Sequence, residues 1–67
     1  MSYVEWLYAE LVEEGFIDED SYSPDELTKT VLLTETEIEE ADLDNYENEF
    51  VAHCRTYGET PIMDLED

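Results

Sequence analysis

His53 and Cys54 are neighbours in the chain, and together they are the residue types that a thiol-based catalyst uses. Such a catalyst needs the imidazole within hydrogen-bonding reach of the sulfur and a third group that orients the ring. Consecutive residues of a helix project about 100° apart, so on the helix predicted below the two side chains do not face each other. We interpret Cys54 as a buried residue beside a histidine at the edge of the core. Because it is the only cysteine, no internal disulfide or CxxC metal site can form.

Two carboxylate clusters, which begin at Asp18 and at Asp42, resemble the start of a calcium-binding loop. An EF-hand loop requires glycine at its sixth position and glutamate at its twelfth. Counted from Asp18, those positions hold serine and lysine, and counted from Asp42 they hold glutamate and histidine. Only two glycines are present, so a glycine-rich phosphate loop is absent as well. We expect no metal site, no cofactor and no enzymatic activity.

Acidic residues dominate the composition: 21 Asp and Glu stand against two Lys and Arg, for a formal net charge of -19 at pH 7. A charge of this size repels other polyanions, which excludes nucleic acid and anionic membranes as direct partners. It attracts basic proteins by the same physics. The chemistry that this sequence can perform is therefore binding by electrostatic complementarity.

The longest acidic segment lies between residues 35 and 49 and contains no basic residue. It has eight carboxylates, namely Glu35, Glu37, Glu39, Glu40, Asp42, Asp44, Glu47 and Glu49. On collinear helical segments these charges would follow one another every ~2.8 Å of axis, because each residue rises about 1.5 Å. One strand of duplex DNA carries one charge per about 3.4 Å. The segment is thus predicted to have the linear charge density of a nucleic-acid strand, and its carboxylates are the candidate partner-binding residues.

Two further features are candidates for the same surface. Asp18, Glu19 and Asp20 form a second, shorter acidic patch. Trp6 lies away from the apolar stripe of the first predicted helix, so it either packs on another element or is exposed as an interface anchor, a role in which tryptophan is common.

The first element that the pattern predicts is a helix from about Tyr3 to Glu14. A capping box at residues 2–5 begins it, and apolar residues follow at helical spacing. Gly15 is predicted to end the helix, and Phe16 to fold back onto Leu11.

A second capping box, at residues 23–26, includes a proline at the first helical position and predicts another helix start. Leu27, Val31 and Leu32 would face inward. Residues 30–34 could instead form a short strand, because the run is short and contains β-branched residues.

Two more helices are predicted towards the end of the chain. Thr34 and Glu37 repeat the capping-box spacing and predict a short third helix. An apolar stripe predicts a fourth helix over residues 43–57, capped by Gly58. Residues 59–67 leave helix at a proline and can either dock on the core or stay mobile.

These elements predict an all-α fold, a small bundle of three or four short helices with a single-layer core, in one acidic helical domain over residues 1–67. A hydrophobic content of 42% favours a folded protein over a disordered acidic tail. The core is thin at this length. It is predicted to contain Leu7, Leu11, Leu27, Val31, Ile38, Phe50, Cys54 and Tyr57.

Small size, extreme acidity and an acidic helical run together resemble the DNA-mimic inhibitors of bacteriophages, among them acidic anti-CRISPR proteins and inhibitors of restriction or DNA-repair enzymes. The resemblance is one of kind over the whole chain, since these inhibitors share no sequence motif. It implies a carboxylate array that occupies a basic groove meant for DNA, in a host defence or DNA-processing complex such as a CRISPR effector.

Two alternatives remain at this point: a salt-adapted acidic protein of a halophile, and an acidic binder of another basic protein. Glutamates outnumber aspartates 14 to 7, whereas a halophile surface typically favours aspartate. The expected partner is a basic nucleic-acid-binding protein or complex, with the chain itself a monomer or homodimer. A single cysteine and the lack of an export signal or a long apolar run predict a cytoplasmic location, in the bacterial host if the protein is phage-encoded.

Overall fold

A computed structural model describes all 67 residues and contains three α-helices and one 3₁₀ turn. The helices are α1 (Tyr3–Glu14), α2 (Lys29–Glu35) and α3 (Glu40–Tyr57), and the 3₁₀ turn spans Pro24–Glu26. No sheet is present, and the only β-type pairings are two isolated bridges made by the C-terminal segment. The all-α prediction is confirmed.

Helix α1 has the predicted bounds at both ends. The Ser2 hydroxyl accepts a hydrogen bond from the Glu5 N–H at 3.3 Å, and Gly15 ends the helix in the left-handed region with φ 86°. The Phe16 N–H donates to the Leu11 carbonyl at 2.9 Å, the backbone bond of a Schellman motif. The predicted packing of the Phe16 side chain is wrong, because Ile17 enters the core in its place and Phe16 stays exposed.

The second predicted helix start forms only a 3₁₀ turn. The Glu26 carboxylate accepts a hydrogen bond from the Ser23 N–H at 3.3 Å, as the capping box predicts, and a further one from the Ser23 hydroxyl at 3.0 Å. Leu27 then adopts an extended backbone and is buried, so the turn does not continue into a helix. Helix α2 starts after Thr28, whose hydroxyl accepts from the Val31 N–H at 3.1 Å. Residues 30–34 are therefore helical and not a strand.

The short third helix predicted from Thr34 does not form. Thr36 ends α2 in an extended conformation, with φ -127° and ψ 174°. Its hydroxyl donates to the Leu32 carbonyl and accepts from the Ile38 N–H, the latter at 3.2 Å. These bonds replace backbone bonds that a continuing helix would make. The buried Ile38 side chain then holds the connection against the core.

Helix α3 begins earlier than predicted, at Glu40 instead of Leu43, and absorbs the end of the predicted third helix. The Asp42 carboxylate accepts a hydrogen bond from the Glu39 N–H at 3.0 Å. A carboxylate in the first turn also interacts favourably with the helix dipole. The carboxylate of Asp42 therefore has a structural role, which is to stabilise the start of the helix.

The core contains ten buried residues drawn from every helix and both long connections: Tyr3, Leu7, Leu11, Ile17, Leu27, Leu32, Ile38, Leu43, Phe50 and Cys54. Of the predicted core, Val31 is half-buried, and Tyr57 is wrong with 68% of its surface exposed. Helix α3 extends almost one turn beyond Cys54, its last buried residue. The Tyr57 ring lies 4.7 Å from the His53 ring instead of in the core.

The C-terminal segment is docked, which decides between the two alternatives for residues 59–67. The Tyr3 N–H donates to the Ile62 carbonyl at 2.9 Å, and the Lys29 N–H donates to the Glu66 carbonyl at 2.7 Å. The segment thus connects the start of α1 to the start of α2. Leu65 packs partly against the core, whereas Ile62 and Met63 are exposed.

Asp64 on this segment caps α1, and its removal is expected to destabilise the fold by about 1 kcal/mol. Its carboxylate accepts from the Ser2 hydroxyl and from the Val4 N–H, the latter at 2.9 Å. Burial raises the pKa of Asp64, but the hydrogen bonds from Ser2 and the backbone outweigh it and lower the pKa below the ordinary 3.8. A lowered pKa in the folded state means that this stabilisation is present at neutral pH and is lost as pH falls through that pKa.

Urea unfolding of Asp64→Ala at neutral pH and near pH 3 measures this effect. The variant should be less stable than the wild type at neutral pH, and the difference should shrink in acid. Glu59→Ala is the matched control, because it removes the same charge from the same segment and no hydrogen bond to the Glu59 side chain is present. Equal stability of both variants at neutral pH would show that Asp64 does not cap α1.

Candidate partner-binding surface

Helix α3 divides its acidic residues into two rows on opposite flanks. At about 100° per residue, Glu40, Asp44 and Glu47 fall on one flank, and Asp42 and Glu49 on the other. Five carboxylates thus lie within ten residues, or about 15 Å of axis, which is one per about 3 Å. All are exposed except Asp42, which is half-buried.

Between the two rows, the outward face of α3 carries no charge from Ala41 to Ala52, and Arg55 adds a positive charge only beyond this stretch, in the last turn. Four exposed residues make up this strip: Ala41, Asn45, Asn48 and Ala52. The strip lies opposite the buried stripe, so the helix presents carboxylate, neutral strip and carboxylate in succession. The spacing of these residues in the sequence is sufficient to predict the arrangement, provided that the helix is known to run without a break from Glu40.

The other three carboxylates of the predicted run do not continue either row. Glu35 is the last residue of α2, and Glu37 and Glu39 lie in the connection that follows Thr36. The expectation of a collinear array from Glu35 to Glu49 is therefore wrong. The part of the run that keeps the predicted charge density is the part on α3.

A first cleft lies beside the row of Asp44 and Glu47. It has a volume of about 210 Å³ and is formed by the start of α1, the start of α2, α3 and the docked C-terminal segment. Burial, followed by the nearby charges of Glu47 and Asp44, raises the pKa of Tyr3 to about 12. Eight residues line the cleft: Tyr3, Lys29, Leu43, Asp44, Glu47, Met63, Leu65 and Asp67.

A second cleft, of about 260 Å³, lies beside the other row. Here Glu10 and Glu14 of α1 join Asp42 and Glu49 around Tyr46. Burial, followed by these carboxylates, raises the pKa of Tyr46. The acidic residues do not converge as a set of metal ligands. Glu10 and Glu14 were not among the predicted site residues, because only the packing of α1 on α3 brings them to this flank.

The second predicted patch lies on the loop after α1, around Tyr8. The Tyr8 hydroxyl donates to the Tyr22 carbonyl at 2.8 Å, which holds the loop against the helix. Desolvation, followed by the charges of Glu19, Asp18 and Asp20, raises the pKa of Tyr8. These three carboxylates are exposed, and they line neither of the two clefts beside α3.

Trp6 packs on α3, the first of the two alternatives that its position predicted. Its ring lies 5.4 Å from Phe50, 6.4 Å from Tyr46 and 6.2 Å from His53. The side chain is half-buried among these rings, so it supports the position of α3 and does not project as a free anchor. Cys54 is fully buried, and His53 contacts Trp6 and Tyr57.

Most of the acidic charge has no intramolecular counter-charge. Lys29 and Glu40 form the one ion pair, at 3.3 Å, with 40% of the Lys29 side chain and 70% of the Glu40 side chain exposed. Arg55 forms none. Exposed pairs of this kind contribute little to stability, about 0–1 kcal/mol. The two rows are therefore open to counter-charges from outside the molecule.

Stability is expected to rise with salt for the same reason. Glu40 with Asp44, and Asp44 with Glu47, are like-charge neighbours on one helix face, each pair destabilising by a few tenths of a kcal/mol. The Debye length falls from about 10 Å at 0.1 M salt to about 3 Å at 1 M, which screens them. Circular dichroism melts over this range should show a rising midpoint. A flat or falling midpoint would contradict the repulsion.

Comparison with protein families, curated proteins and solved structures finds no match for this chain. None of its helices combines the length and the apolar character that a membrane span requires. The functional proposal therefore depends on the charges and clefts of the surface around α3.

Proposed function

We propose that the chain is a nucleic-acid mimic, which occupies the basic groove of a nucleic-acid-binding protein or complex through the acidic rows of α3. One observation carries the proposal: two rows of carboxylates, of which only Glu40 is ion-paired, flank an uncharged strip on one continuous helix. A helix with its side chains is about 10–12 Å across. The major groove of duplex DNA, bordered by two phosphate rows, is about 12 Å wide. A helix of this width would hold the two rows at about the spacing of the phosphate rows that border a groove, which supports the proposal.

The partner that fits this surface presents lysines and arginines spaced for phosphates. Its basic side chains would meet carboxylates in place of phosphates, and binding would exclude DNA from the same groove. The resemblance to phage inhibitors favours a bacterial defence or DNA-processing complex, with a CRISPR effector first among them, in the host cytoplasm. The function is occlusion, with no catalytic step.

Displacement by DNA tests the proposal. The protein, immobilised, is exposed to a bacterial lysate at low salt, and bound proteins are released with short duplex DNA. A poly-glutamate of equal total charge is the matched competitor, since it carries the acidity without the fold. We expect purified captured proteins to bind DNA and to be released by duplex at concentrations where poly-glutamate has little effect. Release by poly-glutamate at least as readily as by duplex would overturn mimicry, and binding that DNA does not displace would indicate a basic partner of another kind.

A salt-adapted acidic surface is the second candidate, and one observation favours it. Carboxylates also occur away from α3, for example Asp25, Asp64 and Glu66 around a third cleft of about 250 Å³. A mimic needs only one charged face, whereas adaptation to salt charges all of them. Folding that requires molar salt in the melts described above would favour this candidate.

A further inference from the structure

The first cleft has an apolar wall and a charged wall. Its apolar wall is made by Tyr3, Leu43, Met63 and Leu65, and its charged wall by Asp44, Glu47 and Asp67. At about 210 Å³ it is smaller than the roughly 300–1,000 Å³ of clefts that bind drug-sized ligands. Its size suits one side chain of a partner.

The charge of the cleft is not neutralised from within. Lys29 is the only cation that lines it, and its ammonium pairs with Glu40, which is not among the lining residues. Asp44 and Glu47 have no ion-pair partner. Met63 at the rim is 45% exposed, although it is a large apolar residue. An apolar side chain beside unpaired carboxylates matches the two parts of an arginine side chain, an aliphatic stem and a charged head.

We propose that this cleft accepts one arginine side chain of the basic partner, with the guanidinium at Asp44 and Glu47 and the aliphatic stem along Met63 and Leu65. The inference rests on the proposed function and adds a specific contact to it. Two carboxylates three residues apart on one helix face offer acceptors to the planar guanidinium, which has five N–H donors in a fixed geometry. Guanidinium is also more weakly hydrated than ammonium, so it enters a partly apolar cleft at lower cost than lysine does.

A short peptide tests the cleft without the partner. The probe is acetyl-Gly-Arg-Gly-amide, compared with versions in which lysine or the uncharged isostere citrulline replaces arginine. Methyl and amide NMR signals of Leu43, Met63 and Leu65 report on the cleft, and the amide and aromatic-ring signals of Phe16 and Tyr46 report on the second cleft. We expect saturable shifts at the first group with arginine, weaker ones with lysine and none with citrulline. Equal shifts at both clefts, or equal binding of citrulline, would overturn the proposal.

Two variants with the same charge change extend the test to the captured partner. Met63→Arg places a guanidinium at the rim, where it can fill the cleft from within, whereas Ile62→Arg adds the same charge at a neighbouring exposed position that does not line it. We expect Met63→Arg to weaken partner binding by about tenfold, the loss of about 1.4 kcal/mol of binding free energy, and Ile62→Arg to change it by less than about twofold. Similar affinities for both variants would overturn the arginine site. That result would leave displacement by DNA unaffected, so the two proposals fail separately.

Discussion

Replacing Phe50 by alanine is expected to unfold most of the protein at room temperature in low salt. Phe50 is fully buried, and its ring centre lies 5.1 Å from that of Tyr3 and 5.4 Å from that of Trp6. Truncation of a buried phenylalanine costs about 3–5 kcal/mol. A domain of this length has a total stability of roughly 3–10 kcal/mol, at about 0.05–0.15 kcal/mol per residue. Self-repulsion places this protein towards the lower end of that range.

Near-ultraviolet circular dichroism, which reports on the packed aromatic rings, measures this loss together with urea unfolding. Tyr57→Ala is the matched control, because it removes another aromatic ring from the same helix at a position that is 68% exposed. The control should change stability by no more than about 0.5 kcal/mol. Equal losses for the two variants would mean that the packing of α1 on α3 is not what stabilises the fold.

The features predicted correctly from the sequence are those that neighbouring residues determine. Both ends of α1 were predictable from residues within one turn of them, the Ser2 hydroxyl and the conformation of Gly15, although Asp64 adds a second cap from the C-terminal segment. The inward stripe of α3 follows from spacing alone and correctly identified Phe50 and Cys54 as core residues. Such local signals require no knowledge of the rest of the fold.

The errors occurred where tertiary contacts outweigh local signals. The capping box at residues 23–26 forms as predicted, yet the helix stops because Leu27 is buried with an extended backbone. The capping-box spacing at Thr34 is overridden when the Thr36 hydroxyl ends α2 and Ile38 enters the core. Neither burial can be derived from residues nearby in the chain, since each depends on which helices meet.

The candidate surface was predictable in part. Spacing on one helix identifies the two rows of α3, but it does not reveal that Glu10 and Glu14 join one flank. It also misses Met63 and Leu65, because the sequence left the docking of the C-terminal segment open. The charge density of the acidic segment follows from the sequence alone. The clefts could not be predicted in this way, because each is formed where several elements pack together.

Neutralising the rows of α3 is expected to raise stability and to lower partner affinity about 100-fold. The variant is Asp44→Asn, Glu47→Gln and Glu49→Gln. Asp42 is kept because it accepts a hydrogen bond from the Glu39 N–H, and Glu40 because it pairs with Lys29. Three lost charge pairs at about 1 kcal/mol each give roughly 3 kcal/mol, or about 100-fold.

The matched control neutralises three carboxylates elsewhere, with Glu5→Gln, Glu13→Gln and Glu59→Gln. Both variants change the net charge by the same amount, so any effect of overall charge on association is common to them. The control should bind within about threefold of the wild type, since general attraction weakens only slightly. Melting temperature and partner affinity are measured on the same preparations, the affinity at two salt concentrations.

The two measurements on the α3 variant separate its role in folding from its role in binding. Loss of affinity through partial unfolding would appear as a lower melting temperature, whereas relief of repulsion between carboxylates raises it. A variant that melts higher and binds weakly, with a shallower salt dependence than the control, has lost interactions made only in the complex. Retained affinity in a stabilised variant would exclude Asp44, Glu47 and Glu49 as the residues that bind the partner. The other predicted carboxylates, among them the patch Asp18, Glu19 and Asp20, would then be the candidates. An equal loss in both variants would instead show that the partner responds to net charge, which a mimic with a defined surface does not predict.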